Sequence, residues 1–326
     1  DAADRRFVHP DLGRDLLQGQ RLERHRPALE EVPLFLDDTL RHSNDRLAAL
    51  LNGAAYLGVN SLEEAISLRD AGIDAPILVM GYMAPWALRD AIRYNVTVAL
   101  ADLDTARAGN RLAAELNQPL SVHVNIDSGT GRMGLLPEQV NGFFRALRNL
   151  KHVRLEGIFT ELAAPVDDPT YTREQLDLFE QQFKPILASG IPVPYIHAAD
   201  SAALLQRPES RYTMVRAGAI LHGLTSHERV PLPQGFRPTL RWKTTIAQIK
   251  TLPRGSYVGS GKHYRTPREE RIAVLPVGYA DGFRATPHSW REVLVHGNRV
   301  PVVGRVGMHQ TTINITSVPA AQVGDE

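Results

Sequence analysis

"SLEEAISLRDAG", residues 61–72, followed at once by "PILVMG", 76–81, is the stretch on which the fold turns. The first segment has the patterning of an amphipathic helix and closes on a glycine suited to a helix C-terminus; the second is a short apolar strand. The same alternation runs outward in both directions, over residues 32–216. Its apolar runs are "VPLFL", "AAYLGV", "PILVMG", "VTVAL", "LSVHVNI", "RLEGIFTEL", "VPYIHAA" and "YTMVRAG", with helical segments such as "TREQLDLFEQQFKPILASG" between them. Eight β-runs joined by helical crossovers predict an α/β fold, a parallel (β/α)8 TIM-type barrel; a doubly wound sheet is the alternative. Near residue 230 the texture changes to strands and Gly/Pro turns, as in "EVLVHGNRVPVVGRVGMHQTTINIT". A boundary near "PLPQGFRP" therefore divides the chain into an N-terminal segment 1–31, a barrel over 32–228 and a mainly-β domain over 229–326.

The chain of 326 residues is 43% hydrophobic and 22% charged, enough for two cores. A net charge of +1 without a basic block argues against nucleic acid as a partner. No apolar run approaches the ~18 residues of a membrane span, so the expectation is a cytoplasmic protein. There is no cysteine, hence no disulfide or thiolate site. Of the 37 basic residues only five are lysines, Lys151, Lys184, Lys243, Lys250 and Lys262, leaving 37 − 5 = 32 arginines.

Several motifs carry chemistry. "LPVGYADGFR", 275–284, sets Tyr279 between a glycine and an alanine–aspartate pair, straight after an apolar strand. A phenol on so tight a turn is a candidate acid or base. "YTMVRAGAILHG" puts Arg216 at the end of the eighth run, followed by Gly218 and Ala219, and "HAADSAA" puts Ser201 after the seventh. Loops after strands 7 and 8 of such barrels commonly hold phosphate through backbone N–H groups, so these residues point to a phosphorylated cofactor. "GTGRMG", 129–134, fits the dinucleotide pattern but follows the fifth run rather than the first. On a barrel its Arg132 is a group aimed into the active site. "GSGKHY", 259–264, fails the spacing of a P-loop. His263, His288, His296 and His309 show no metal-ligand spacing, so no metal site is expected.

Taken in order, "GVNSLEEAISLRDAGIDAPILVMGY", "VNIDSGTGRMGL", "QLDLFEQQF", "HAADSAAL", "VRAGAILHGL", "LPVGYADGFR" and "VVGRVGMHQTTINIT" resemble the alanine racemases, the barrel-type (fold type III) pyridoxal-phosphate enzymes. The resemblance runs from about Asn52 to the C-terminus. It implies interconversion of L- and D-alanine by two-base proton transfer at Cα, with pyridoxal 5′-phosphate as cofactor, in a head-to-tail homodimer that supplies a peptidoglycan precursor. By that resemblance Tyr279 is one base, reaching the other subunit's barrel, and Arg216 partners the pyridine nitrogen. Ser201, Gly218 and Ala219 resemble the phosphate cup. Arg132 resembles the group near the cofactor's phenolic oxygen, on the substrate side, and Met308 resembles the substrate-carboxylate contact. A further C-terminal tyrosine of such racemases has no counterpart before Glu326, so the β-domain reads as C-terminally incomplete.

The chain departs from that pattern around the cofactor. Such racemases carry, in a "VVKANAYGHG"-like stretch on the first barrel strand, the lysine that holds the cofactor and serves as second base. That stretch is absent. Either "VPLFLDDTLRHSNDR" is strand 1 with its helix, leaving Phe35, Leu36 or Asp37 near the lysine's place, or strand 1 is deleted. Glu161 stands where a histidine is expected, Asp200 for an asparagine, His309 for an aspartate and His222 for a tyrosine; Asn125 takes the place of a carbamylated lysine in many relatives. Three functions follow: an alanine racemase, a catalytically impaired relative that binds pyridoxal phosphate or an amino acid, and a nicotinamide-dependent oxidoreductase using "GTGRMG".

Overall fold

The computed structural model describes residues 53–225, 227, 229–283 and 291–326, together with the backbone of β1, Leu34–Leu36. The segment 1–31 and His288 lie outside the described residues. Contact clustering divides the chain into two units, Asp1–Thr239 and Leu240–Glu326.

The first unit is built on one eight-stranded sheet. After β1 come β2 (Ala54–Val59), β3 (Ile77–Val79), β4 (Thr97–Leu100), β5 (Leu120–Asn125), β6 (Val153–Phe159), β7 (Tyr195–His197) and β8 (Val215–Ala217). The strand order is β7-β6-β5-β4-β3-β2-β1-β8 and every ladder is parallel. The two ends of that order also meet. His197 bridges Met214, and the Arg216 N–H donates to the Ala199 carbonyl at 2.9 Å. A doubly wound sheet keeps two open edges, whereas these edges pair with each other, so the sheet is a closed barrel. All eight sequence runs are strands of it.

Helices cross back outside the strands: α1 (Leu62–Asp70), α2 (Leu88–Arg93), α3 (Leu103–Leu116), α4 (Pro137–Leu147), α5 (Pro169–Ala188) and α6 (Ser201–Gln206). Their starts are local chemistry. Ser61 Oγ accepts the Glu64 N–H, Asp102 the Thr105 N–H at 2.7 Å and Asp168 the Tyr171 N–H at 2.9 Å, while Pro137 and Pro169 sit in first turns where a missing N–H costs nothing. The main core lies between sheet and helices and includes Val122, Val124, Ile158, Phe179 and Ile196. Strands covered on both faces explain why β5 is buried along its whole length.

The barrel interior is unusually polar. At its N-terminal floor Glu156 accepts hydrogen bonds from Tyr56 at 2.6 Å, Thr97 at 3.2 Å and Ser121 at 3.2 Å. The register slips between Val122 and His123, so that β6 carries one extra residue, Glu156, opposite β5. Above it, Gly157 pairs with His123; a Cβ there would lie 2.5 Å from the imidazole Nδ1, so glycine is what admits the ring.

The second unit holds β9 (Gln248–Leu252), β12 (Glu270–Leu275) and β15 (Thr311–Asn314) as one antiparallel sheet in the order β15-β12-β9. The short pairs β10 (Tyr257–Val258) with β11 (Tyr264–Arg265), and β13 (Glu292–Val295) with β14 (Asn298–Pro301), complete it. Its core gathers Ala273, Leu275, Phe283, Val300, Ile313 and Ile315. Among the described residues no helix is long and apolar enough to cross a membrane.

Candidate active site

The C-terminal ends of β5 to β8 and the loops after them form one rim of the barrel. The first loop is the glycine-rich one. Asp127 Oδ1 accepts the N–H groups of Gly129 (2.9 Å), Thr130 (2.8 Å) and Gly131 (3.1 Å). These are the donors a pyrophosphate would need in a dinucleotide fold, and the chain's own carboxylate takes them. Together with the closed sheet, this removes the basis for the oxidoreductase reading. Arg132 sits exposed on this loop. Asn125, at the end of β5, donates to the Met133 carbonyl at 3.2 Å while its buried Oδ1 has no partner among the described residues.

Arg216 on β8 is 2% exposed. One terminal nitrogen donates to His197 Nδ1 at 2.9 Å; the other reaches the carbonyls of Thr160 (3.1 Å) and Ala198 (2.8 Å) and Glu161 Oε1 (2.9 Å). A guanidinium has donors only. His197 Nδ1 must therefore accept, its proton is on Nε2, and Nε2 donates to His123 Nδ1 at 2.9 Å. The His123 proton is then on Nε2, a buried group without a partner among the described residues. Burial, then the Arg216 charge and His123, push His197 well below its ordinary pKa, and burial pushes His123 down to about 3. Both rings are neutral, as the directed chain requires.

The next loops bring Ser201 and Gly218 together. Ser201 Oγ accepts the N–H of Gly218 at 3.0 Å and that of Ile220 at 3.4 Å. Ala219 opens a single 3-10 turn, Ala219–His222, so its own N–H has no acceptor within the turn. A hydroxyl and backbone N–H groups converging on one spot suit a phosphate oxygen.

The remaining sequence-predicted residues belong to the second unit. Tyr279 opens a 3-10 turn, Tyr279–Asp281, after β12. Its N–H donates to the Gly307 carbonyl at 3.0 Å, and the Ala280 N–H to the Met308 carbonyl at 2.9 Å. Asp281 Oδ2 accepts the Gly278 N–H at 2.9 Å. A Cβ on Gly278 would lie 2.3 Å from the Gly307 oxygen, so the tyrosine is carried on a turn that only glycine lets approach the second loop. The Tyr279 side chain is 50% exposed and that of Met308 is exposed too.

Sequence reasoning missed His123, His197 and Ile220, and saw Glu161 only as a departure rather than as the partner of Arg216. The signal for the histidines is the period of two. Val122, Val124, Ile196 and Ala198 face the helices, which leaves His123 and His197 turned into the barrel. Among the described residues no group of three or more His, Asp or Glu could hold a metal ion.

Comparison with known proteins adds a separate line of observation. The family model described as "Alanine racemase, N-terminal domain" matches residues 39–226, and "Alanine racemase, C-terminal domain" matches 239–326. The chain is 39% identical to an alanine racemase of Desulfovibrio desulfuricans, over 90% of this chain and 80% of that protein. It is 41% identical to one of Symbiobacterium thermophilum, over 86% and 74%. Among solved structures, an alanine racemase of Clostridium difficile superposes with a TM-score of 0.80 at 33% identity, covering 91% of this chain and 79% of that one.

Proposed function

The chain belongs to the alanine racemase family, and from that premise we propose that it interconverts L- and D-alanine with pyridoxal 5′-phosphate at the rim of the barrel. The observation that carries the reading is the meeting of Ser201 and Gly218, at 3.0 Å, in the loops after β7 and β8, next to a buried Arg216. The residues suit the cofactor at three of its positions. Ser201 with the Gly218, Ala219 and Ile220 N–H groups would hold its phosphate. Arg216 would meet its ring nitrogen, and Arg132 would meet its phenolic oxygen. When bound, the cofactor supplies an electron sink for the bond broken at Cα. A guanidinium does not give up its proton, so Arg216 donates a hydrogen bond and transfers nothing. The phenolic oxygen of Tyr279 takes and returns the Cα proton on one face. Met308 lies against the substrate carboxylate. Tyr279 of one copy serves the barrel of a second in a head-to-tail homodimer, and the half-exposed phenol supports this.

The carbon end of the cofactor is where the fit stops. β1 reads Leu34-Phe35-Leu36. Lys151 and Lys184 are exposed, the latter paired with Glu180 on α5, and the other three lysines belong to the second unit. That favours a second reading, a site that binds the cofactor and turns over slowly, because a positioned acid–base group is commonly worth ~10²–10⁴-fold. Among the described residues of β1, Phe35 is the one whose backbone pairs with Arg216 on one side and Tyr56 on the other, which supports it as the place for a lysine. The test is L-to-D conversion by purified protein with added pyridoxal phosphate, for the native chain and for Phe35→Lys. Native conversion that Phe35→Lys does not raise supports the racemase reading, whereas slow native conversion that rises ~10²-fold or more in the variant supports the second, impaired reading. Cofactor binding with no conversion by either protein leaves the binding relative; absence of cofactor binding by both defeats the proposal.

A further inference from the structure

Arg216 has four acceptors, and three of them are neutral: His197 and the carbonyls of Thr160 and Ala198. Glu161 is its one charged partner among the described residues. The position of that carboxylate is built rather than incidental. Its own backbone carbonyl accepts Thr130 Oγ1 at 2.6 Å and Gln175 Nε2 at 3.1 Å. Gln175 Oε1 in turn accepts the Ala163 N–H at 2.9 Å, so α5 grips the Glu161 loop at both sides. Thr130 belongs to the glycine-rich loop that carries Arg132. One residue thus holds the loop that carries Arg132 through its backbone carbonyl and faces Arg216 with its carboxylate.

We propose that Glu161 is a positioning residue that turns Arg216 from a lone cation into one half of a neutral pair, and so sets both the orientation of its guanidinium and the charge felt at the ring-nitrogen end of the site. This rests on the cofactor orientation given above. A bare guanidinium beside a pyridine nitrogen opposes protonation of that nitrogen through space. A carboxylate 2.9 Å from the guanidinium cancels most of that field and leaves the hydrogen bond in place. His197 cannot do this work, because it is neutral and accepts from Arg216 without offsetting its charge. The chain's glutamate therefore makes a ring-nitrogen partner that donates a hydrogen bond with little net charge.

Two measurements decide it, neither of them activity. In the ligand-free protein, nitrogen-15 NMR of the Arg216 Nη–H groups, one of which faces Glu161, is compared among the native chain, Glu161→Gln and Glu161→Asp. The Gln variant is expected to speed Nη–H exchange and guanidinium rotation by about tenfold or more, the loss of a charge-assisted bond, and the Asp variant to restore part of it. An Arg216 signal unchanged in Glu161→Gln overturns the inference whether or not any cofactor binds. The second measurement adds ring-15N pyridoxal 5′-phosphate. Its nitrogen resonance should move toward the unprotonated position in Glu161→Gln relative to the native chain and stay near the native position in Glu161→Asp. Binding with no movement defeats the charge-setting role and leaves the functional reading intact. If the ligand-free result holds and no pyridoxal phosphate binds, the functional reading falls while the pairing of Glu161 with Arg216 stands.

Discussion

Arg216 and Tyr279, the two residues on which the proposed chemistry depends, are held in opposite ways. Arg216 is fixed through its side chain: four acceptors, 2% exposure, and two histidines behind it whose tautomers it dictates. Tyr279 is fixed through its backbone. Its N–H and that of Ala280 are pinned to the Gly307–Met308 strand of chain, while the phenol is half exposed and makes no hydrogen bond among the described residues. A group that must present a fixed hydrogen-bond donor to a bound ring gains from being locked. A group that must move a proton gains from a free oxygen on a rigid base. Removing the barrel residue is therefore expected to cost the fold, and removing the turn residue only the proposed chemistry.

The largest expected effects test that contrast directly. Arg216→Ala strands the Glu161 carboxylate and two carbonyls and should lower unfolding free energy by about 3 kcal/mol or more in a urea titration. Tyr279→Phe should leave stability within about 0.5 kcal/mol and reduce L-to-D conversion by ~10²–10⁴-fold; equal losses of stability in both variants would erase the distinction.

Acid should separate the units next. His123 is neutral when folded and takes up a proton when unfolded below its ordinary value of ~6.5. Its contribution is full above that pH and is lost as pH falls toward about 3, on the order of 5 kcal/mol in all, with His197 acting in the same direction. The described histidines of the second unit, His263, His296 and His309, are exposed. Hydrogen exchange compared at neutral and mildly acid pH should show the barrel amides opening while the β-unit amides hold.

A smaller effect belongs to the glycine that admits the imidazole. Gly157→Ala forces a methyl to 2.5 Å from His123 and should cost roughly 1–3 kcal/mol of barrel stability, with Tyr279-dependent chemistry affected only in proportion to unfolding. The smallest is Ser201→Ala. It removes one hydroxyl from the phosphate spot and should weaken binding of pyridoxal 5′-phosphate by about fivefold, near 1 kcal/mol, as read by equilibrium titration.

Much of this was legible beforehand because it is local. Period-two and period-3.6 patterning fixed the eight strands and the helices between them, and Ser61, Asp102 and Asp168 each cap the helix they precede. The loops after the seventh and eighth runs identified Ser201, Arg216 and Gly218. What stayed hidden depended on neighbours far apart in sequence. In sequence Glu161 reads as a lost histidine, but in the fold it lies 2.9 Å from Arg216, and Asp127 occupies the N–H groups that give "GTGRMG" its dinucleotide look.

By itself, then, the chain's order of residues determined the alternation of strand and helix, the place of the texture change, the family, and the absence of a lysine from the first strand. Those follow from side-chain type and spacing, which need no third dimension. The closure of the sheet, the direction of the Arg216–His197–His123 chain, the register that sets Phe35 beside Arg216, and the pairing of Arg216 with Glu161 were decided only by tertiary structure. Each joins residues from different strands, and whether a buried polar group is satisfied depends on what the folded barrel brings within about 3 Å of it.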